Sequence, residues 1–224
     1  MARTGWSTSN FLRYAGGVLT ATPLTIAAWV KMPNIPGGAA VVAGLFTSGS
    51  AFNRNRFSMQ LSNGKLEVAT GDASTSVSAM TSSSYSLTDW FHGCAVFASA
   101  NSRAAYLNGG GKGTNATNIT PSGINRTSVG VGDGSSTDQV LTGGTIAEVT
   151  YWSAALTDAE VAALANGIWP FMVRPDAIVA HFPLIGRYSP EINLKSNAAV
   201  LSMQGTLAQA PHPRIVMPRR RLSA

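Results

Sequence analysis

Charge is scarce in this sequence. Asp, Glu, Lys and Arg make up 12% of its 224 residues, against roughly a quarter in an ordinary globular chain. Only ten carboxylates are present, so chemistry that needs clustered acids has few places to reside. A single cysteine, Cys94, lies in an apolar run. No intrachain disulfide can form, which suits folding in a reducing cytoplasm. His92, His181 and His212 are the only histidines, and their spacing is not that of a zinc site. Long apolar runs are also missing, so no membrane span is expected. No unbroken apolar stretch follows Arg3, and no secretory leader is read there.

Ser, Thr, Asn, Gly and Ala fill the space that charge leaves. Exposed faces of β-strands favour such residues. The net charge is +6, but Arg214, Arg219, Arg220 and Arg221 fall at the very end of the chain. The excess therefore describes a basic arm and not a nucleic-acid-binding domain. A chain of this length can bury one large β core without staples.

Strand patterns recur along the sequence. In Pro23–Met32, Leu24, Ile26, Ala28 and Val30 alternate with a second set, as in a half-buried strand. Val41–Phe46 is a short apolar run. Phe57, Met59 and Leu61 alternate, Asn63-Gly64 follows, and Leu66 and Val68 resume the apolar face. That is a hairpin with a type I′ turn. Trp90–Ala98 reads as a strand, and a second hairpin turn falls at Asn108-Gly109. A polar Ser/Thr stretch separates these two regions. Strands about ten residues apart with turn signals between them predict a sandwich.

One helix interrupts this pattern. Thr157 with Glu160 three residues on is a capping box, flanked by Leu156 and Val161 as a hydrophobic staple. Asp158 lies in the first turn, where the helix dipole favours an anion. Asn166-Gly167 and Pro170 end the helix.

The ordered set LTIAAWVK, DWFHGCAVF, RAAYLNGG, TSVGVGDG and GGTIAEVTYWSAALTDAEVAALANG resembles the laminin G-like group of the concanavalin A-like jelly rolls. Trp29, Trp90 with His92, Tyr106 with Asn108-Gly109, and Ile146 through Gly167 carry the match, over roughly residues 10–170. The resemblance implies an all-β, two-sheet antiparallel jelly-roll sandwich with one short helix near 157–166. The strand that usually opens such domains resembles AIVAHFPLIG, residues 177–186, which here follows the helix. It either completes the same sandwich, as in a circular permutation, or is exchanged with a second subunit. The domain is thus read as residues 1–205, with a Pro- and Arg-rich arm over 206–224.

The resemblance also frames the chemistry. Glucanases of the superfamily carry carboxylates on an E-x-D-x-x-E strand. Glu148 stands alone on its strand, so no glycosidase is expected. It is read as a half-buried carboxylate bonded to loop backbone. His92 and Cys94 share a strand face but lack an orienting group, and His92 is read as a core histidine. Many relatives hold Ca²⁺ in loops; Asp72 and Asp133 are the loop acids such an ion would use, though each is first a turn residue. No cofactor or metal is otherwise expected. Trp6 and Trp169 lie outside strands and are the candidates for stacking on sugars. A cytoplasmically made, non-catalytic copy resembles virion proteins of tailed phages. A capsid-decorating or head-fibre-like protein is then expected, with Arg214, Arg219, Arg220 and Arg221 as anchor, other virion proteins as partners and a homo-oligomeric state. A carbohydrate-binding adhesin or tail receptor-binding module is the alternative.

Overall fold

The computed structural model describes residues 1–51, 54–133, 139–186, 189–196 and 198–215. In chain order the strands begin with β1 (Ala2–Thr4), β2 (Phe11–Tyr14), β3 (Leu24–Lys31), β4 (Ala40–Phe46) and β5 (Arg56–Ser62). Next come β6 (Lys65–Gly71), β7 (Ser76–Met80), β8 (Phe91–Ser99), β9 (Ser102–Leu107) and β10 (Gly110–Asn115). β11 (Arg126–Val129) and β12 (Thr145–Trp152) precede the helix α1 (Asp158–Ala165). β13 (Ile178–Phe182), β14 (Ser202–Gln204) and β15 (Ala208–Ala210) complete the described chain.

Two antiparallel sheets result. One runs β10-β9-β8-β3-β12-β1-β15, with β13 also on β12; the other runs β14-β2-β11-β4-β5-β6-β7. The jelly-roll sandwich expected from the sequence is the fold. Period-two patterning explains it locally: Leu24, Ile26, Ala28 and Val30 of β3 meet Phe57, Met59 and Leu61 of β5 and Leu66 and Val68 of β6 in one core. Asn63 and Gly64 hold φ of 52° and 75°, as a type I′ turn requires.

A smaller core lies on the other face of the first sheet. There Val161 and Leu164 of α1 pack with Cys94, Val96, Tyr106 and Trp152. The capping box forms: Thr157 N–H donates to Glu160 at 2.7 Å, and the Thr157 hydroxyl accepts the Glu160 N–H. Helix α1 rests on the Asn108-Gly109 turn. A Cβ at Gly109 would stand 2.8 Å from Ala162 Cα, so the turn glycine is also a packing requirement. Among the described residues no helix is long and apolar enough to cross a membrane.

Three readings need correction or refinement. The Ser/Thr stretch contains β7, an edge strand in which only Ala79 is fully buried, so its apolar signal is faint. The boundary at 205/206 does not hold. Residues 208–210 form β15, held by three register pairs to β1; backbone pairing of this kind leaves no side-chain pattern to read. Residues 177–186 supply β13, which pairs with β12 of the same chain through Val149↔Phe182, Thr150↔His181 and Tyr151↔Ala180.

Candidate functional site

β12 carries the one irregularity that builds a site. Along one edge it pairs with β3, with a register shift between Ala147 and Thr150. Along its other edge β1 covers Thr145 and Ile146, and β13 covers Val149 to Trp152. Glu148 falls in the gap between these two short partners. Its φ is +57°, a left-handed conformation that a residue with a side chain adopts only under tertiary constraint. A bulge of this kind re-aims a side chain. Its N–H donates to the Pro183 carbonyl at 3.3 Å.

The Glu148 side chain is 5% exposed and stands between two imidazoles. His181 Nε2 is 3.2 Å from Oε2, and His212 Nε2 is 2.9 Å from Oε1. Burial alone would raise its pKa; the two imidazoles beside it outweigh burial and hold it at about 2. Glu148 is therefore an anion at any physiological pH. These three residues, with Met1, Trp169, Pro183, Ile185 and Leu194, line a pocket of about 380 Å³. The Trp169 ring lies 4.8 Å from Phe171, and Phe171 meets His181 edge-on at 5.3 Å. The pocket thus has apolar walls, one indole and a charged floor.

The expectation that Glu148 is bonded to loop backbone is overturned, because its side-chain partners are histidines. His181 and His212 look isolated in sequence. Strand pairing brings the first alongside Thr150, and β15 delivers the second. No local pattern could have revealed this, since the first contact depends on β13 pairing with β12 and the second on β15 pairing with β1. Trp169 enters the pocket and remains a candidate.

Trp6 does not remain one. It is 2% exposed and lies on Gly130, where a Cβ would approach its ring to 2.0 Å. A position outside a strand proved to be a position under the sandwich's end. Asp133 has cationic partners of its own: Arg13 and Arg126 lie 3.3 and 3.1 Å from its carboxylate. Asp72 accepts the Ser74 and Thr75 N–H groups at 2.7 and 2.8 Å, a turn role. Among the described residues no group of three ligating side chains is placed to hold a metal ion.

His92 is 2% exposed, meets Trp29 edge-on at 5.4 Å and is pushed down by burial to about 3. Burial pushes the Cys94 thiol up. Neither is a nucleophile or base at neutral pH. The remaining acids of the helix region are structural: Asp158 accepts from Tyr106 Oη at 2.7 Å and Lys112 at 2.9 Å, and Glu160 from Arg174 at 2.6 Å. Arg214 is exposed; Arg219, Arg220 and Arg221 lie outside the described residues.

The profile of the concanavalin A-like lectin/glucanases superfamily matches residues 7–162, well over half of the chain. The chain belongs to this superfamily. Among solved structures, this lectin/glucanase-type domain is similar to a protein from Bacteroides ovatus described as carbohydrate-binding, with a TM-score of 0.64 and 14% identity. That match covers 95% of this chain and 60% of the other, so the domain spans less than two thirds of that protein. It is also similar to a heptameric SAP-like pentraxin from Limulus polyphemus (TM-score 0.55, 17% identity, 91% of this chain and 94% of the other). At these identities the likeness is one of fold. A comparison with curated protein sequences returned no significant match.

Proposed function

We propose that this domain binds carbohydrate without turning it over, in the pocket where Trp169 stands above Glu148, His181 and His212. One observation carries the reading. Glu148 Oε2, His181 Nε2 and His212 Nε2 are buried yet have no hydrogen-bond partner. The histidine nitrogens sit within ion-pair distance of the carboxylate but off the hydrogen-bond axis. Unsatisfied polar atoms on the floor of an apolar pocket suit a ligand with one apolar face and several hydroxyls. A pyranose is such a ligand: its C–H face stacks on an indole, and its hydroxyls donate to a carboxylate. A single carboxylate lines the pocket, whereas glycoside hydrolysis requires a pair. The superfamily and the Bacteroides ovatus neighbour support the same class of ligand.

A glycan array followed by calorimetric titration tests this. Trp169→Ala is expected to weaken the best glycan at least about tenfold, the equivalent of about 1.4 kcal/mol of lost stacking, with little change in melting temperature. No binding to any glycan, or equal binding by the variant, overturns the proposal.

A second reading places the domain in a tailed-phage virion as a homo-oligomeric decoration protein. What favours it is the exposed Arg214 at the head of a segment with three further arginines, beyond the last strand of the sandwich. Removing residues 216–224 is then expected to abolish particle association and leave the melting temperature unchanged. Normal incorporation of the truncated chain counts against it.

A further inference from the structure

The pocket of Trp169 and Glu148 has a neighbour on the same face of its sheet. Val30 of β3 pairs with Ile146 of β12 and with Phe91 of β8, and all three lie in the main core. Side chains alternate along a strand, so Lys31, Thr145 and Trp90 beside them point to the opposite, outer face. There Lys31, Trp90, Thr145, Ala210 and Pro211 line a second pocket of about 190 Å³. His181 alternates with Ala180 and Phe182 of the core, which puts the first pocket on the outer face too. Pro211 walls the second pocket and His212 the first, so a single peptide link separates them. Thr145 and Glu148 are three positions apart on β12, at most roughly 10 Å along an extended strand.

We propose that the two pockets form one groove for an acidic oligosaccharide, with a neutral sugar on Trp169 and an anionic sugar, bearing a carboxylate or a sulfate, on Trp90 and Lys31. The proposal deepens the carbohydrate-binding reading and rests on it. Trp90 is half-buried, and an indole stacks on the C–H face of a sugar. Lys31 is exposed, and among the described residues no carboxylate stands within ion-pair distance of it. An ammonium carries donors and no acceptor, so Lys31 suits an anion on the ligand. Glu148 is the reverse: a carboxylate only accepts, and its pocket takes hydroxyl donors. This order of charge along the groove gives the ligand a direction.

Size argues for a shared ligand. Ligand pockets commonly hold about 300–1,000 Å³, so the second pocket is too small to serve alone and works as an extension of the first. A single sugar fills one pocket, and a longer chain is needed to reach both. The arm is a fixed wall between them: Ala210 pairs with Ala2 on one side, and Pro213 is buried on the other. Pro211 itself is exposed, and the saccharide crosses over it. Salt screens exposed charges, so the Lys31 end is salt-sensitive and the Trp169 stack is not.

Calorimetric titration with tetrasaccharides of three polymers tests the groove. Those of hyaluronan carry a carboxylate on alternate sugars, those of κ-carrageenan a sulfate, and those of agarose no charge. One charged series is expected to bind about two- to fivefold tighter than agarose at low salt, and which one it is identifies the anion. Lys31→Gln, a change at an exposed position, should erase both that advantage and its salt dependence. Trp90→Ala should weaken the favoured tetrasaccharide about three- to tenfold, with an unchanged circular dichroism spectrum. Equal binding of agarose, an advantage that survives Lys31→Gln, or full affinity in Trp90→Ala overturns the groove. If Trp169→Ala still weakens agarose binding in those cases, the first pocket stands as a sugar site by itself. Absence of binding to all three series also overturns the groove, and the wider glycan array then decides the carbohydrate reading.

Discussion

A chain cut after residue 174 is expected not to fold, although it retains every residue of the superfamily match. The removed part supplies Ala180, Phe182, Leu184, Leu201 and Leu207 to the main core. It also supplies β13, without which the edge of β12 from Val149 to Trp152 loses its pairing. It contains Glu191, buried against Arg3 at 2.6 Å, and the Leu207 carbonyl that Arg3 also reaches. The larger apolar side chains contribute about 1.5–3 kcal/mol each on burial. Their loss, with that of the buried Glu191–Arg3 pair, is comparable to a whole domain's stability of roughly 5–15 kcal/mol. Circular dichroism of the truncated chain should show no cooperative thermal transition. A sheet spectrum with a cooperative melt would mean that the last third is an appendage and not part of the sandwich.

The second large effect separates two tryptophans that look alike in sequence. Trp6→Ala is expected to cost about 3–5 kcal/mol, the usual range for truncating a buried aromatic. That lowers the melting temperature by about 6–20 °C in a chain of this size. The ring fills the space over Gly130, whose φ of +80° and absent Cβ prevent a larger side chain there from closing the hole. Urea denaturation of the two variants side by side reads the difference. A Trp6→Ala protein as stable as the wild type would show that this end of the sandwich collapses to fill the gap.

Legibility followed the range of the interactions. The hairpin turns at Asn63-Gly64 and Asn108-Gly109 and the Thr157–Glu160 box are written within a few residues, because positive φ and helix capping are local demands. The alternation in β3, β5 and β6 is equally local and placed their side chains on the correct faces. β15 escaped because three backbone pairings need no pattern. Glu148 was visible as a lone acid, but its partners were not. His181 reaches it through the register of β13 on β12, and His212 through the pairing of β15 with β1. Asp133 was legible as a loop acid; that two arginines from different strands, Arg13 and Arg126, would claim it was not.

The sequence by itself determined an all-β sandwich, its turns, its one capped helix and its poverty of acids, since φ preferences and apolar periodicity act between near neighbours. Only the tertiary structure decided that the displaced strand returns to β12 and the start of the arm to β1 beside it. There they meet a bulged glutamate and place two histidines and a tryptophan around it. Edge pairing is chosen by backbone groups that every residue carries alike. The pocket that this pairing assembles is therefore a property of the folded sheet and of no single stretch of chain.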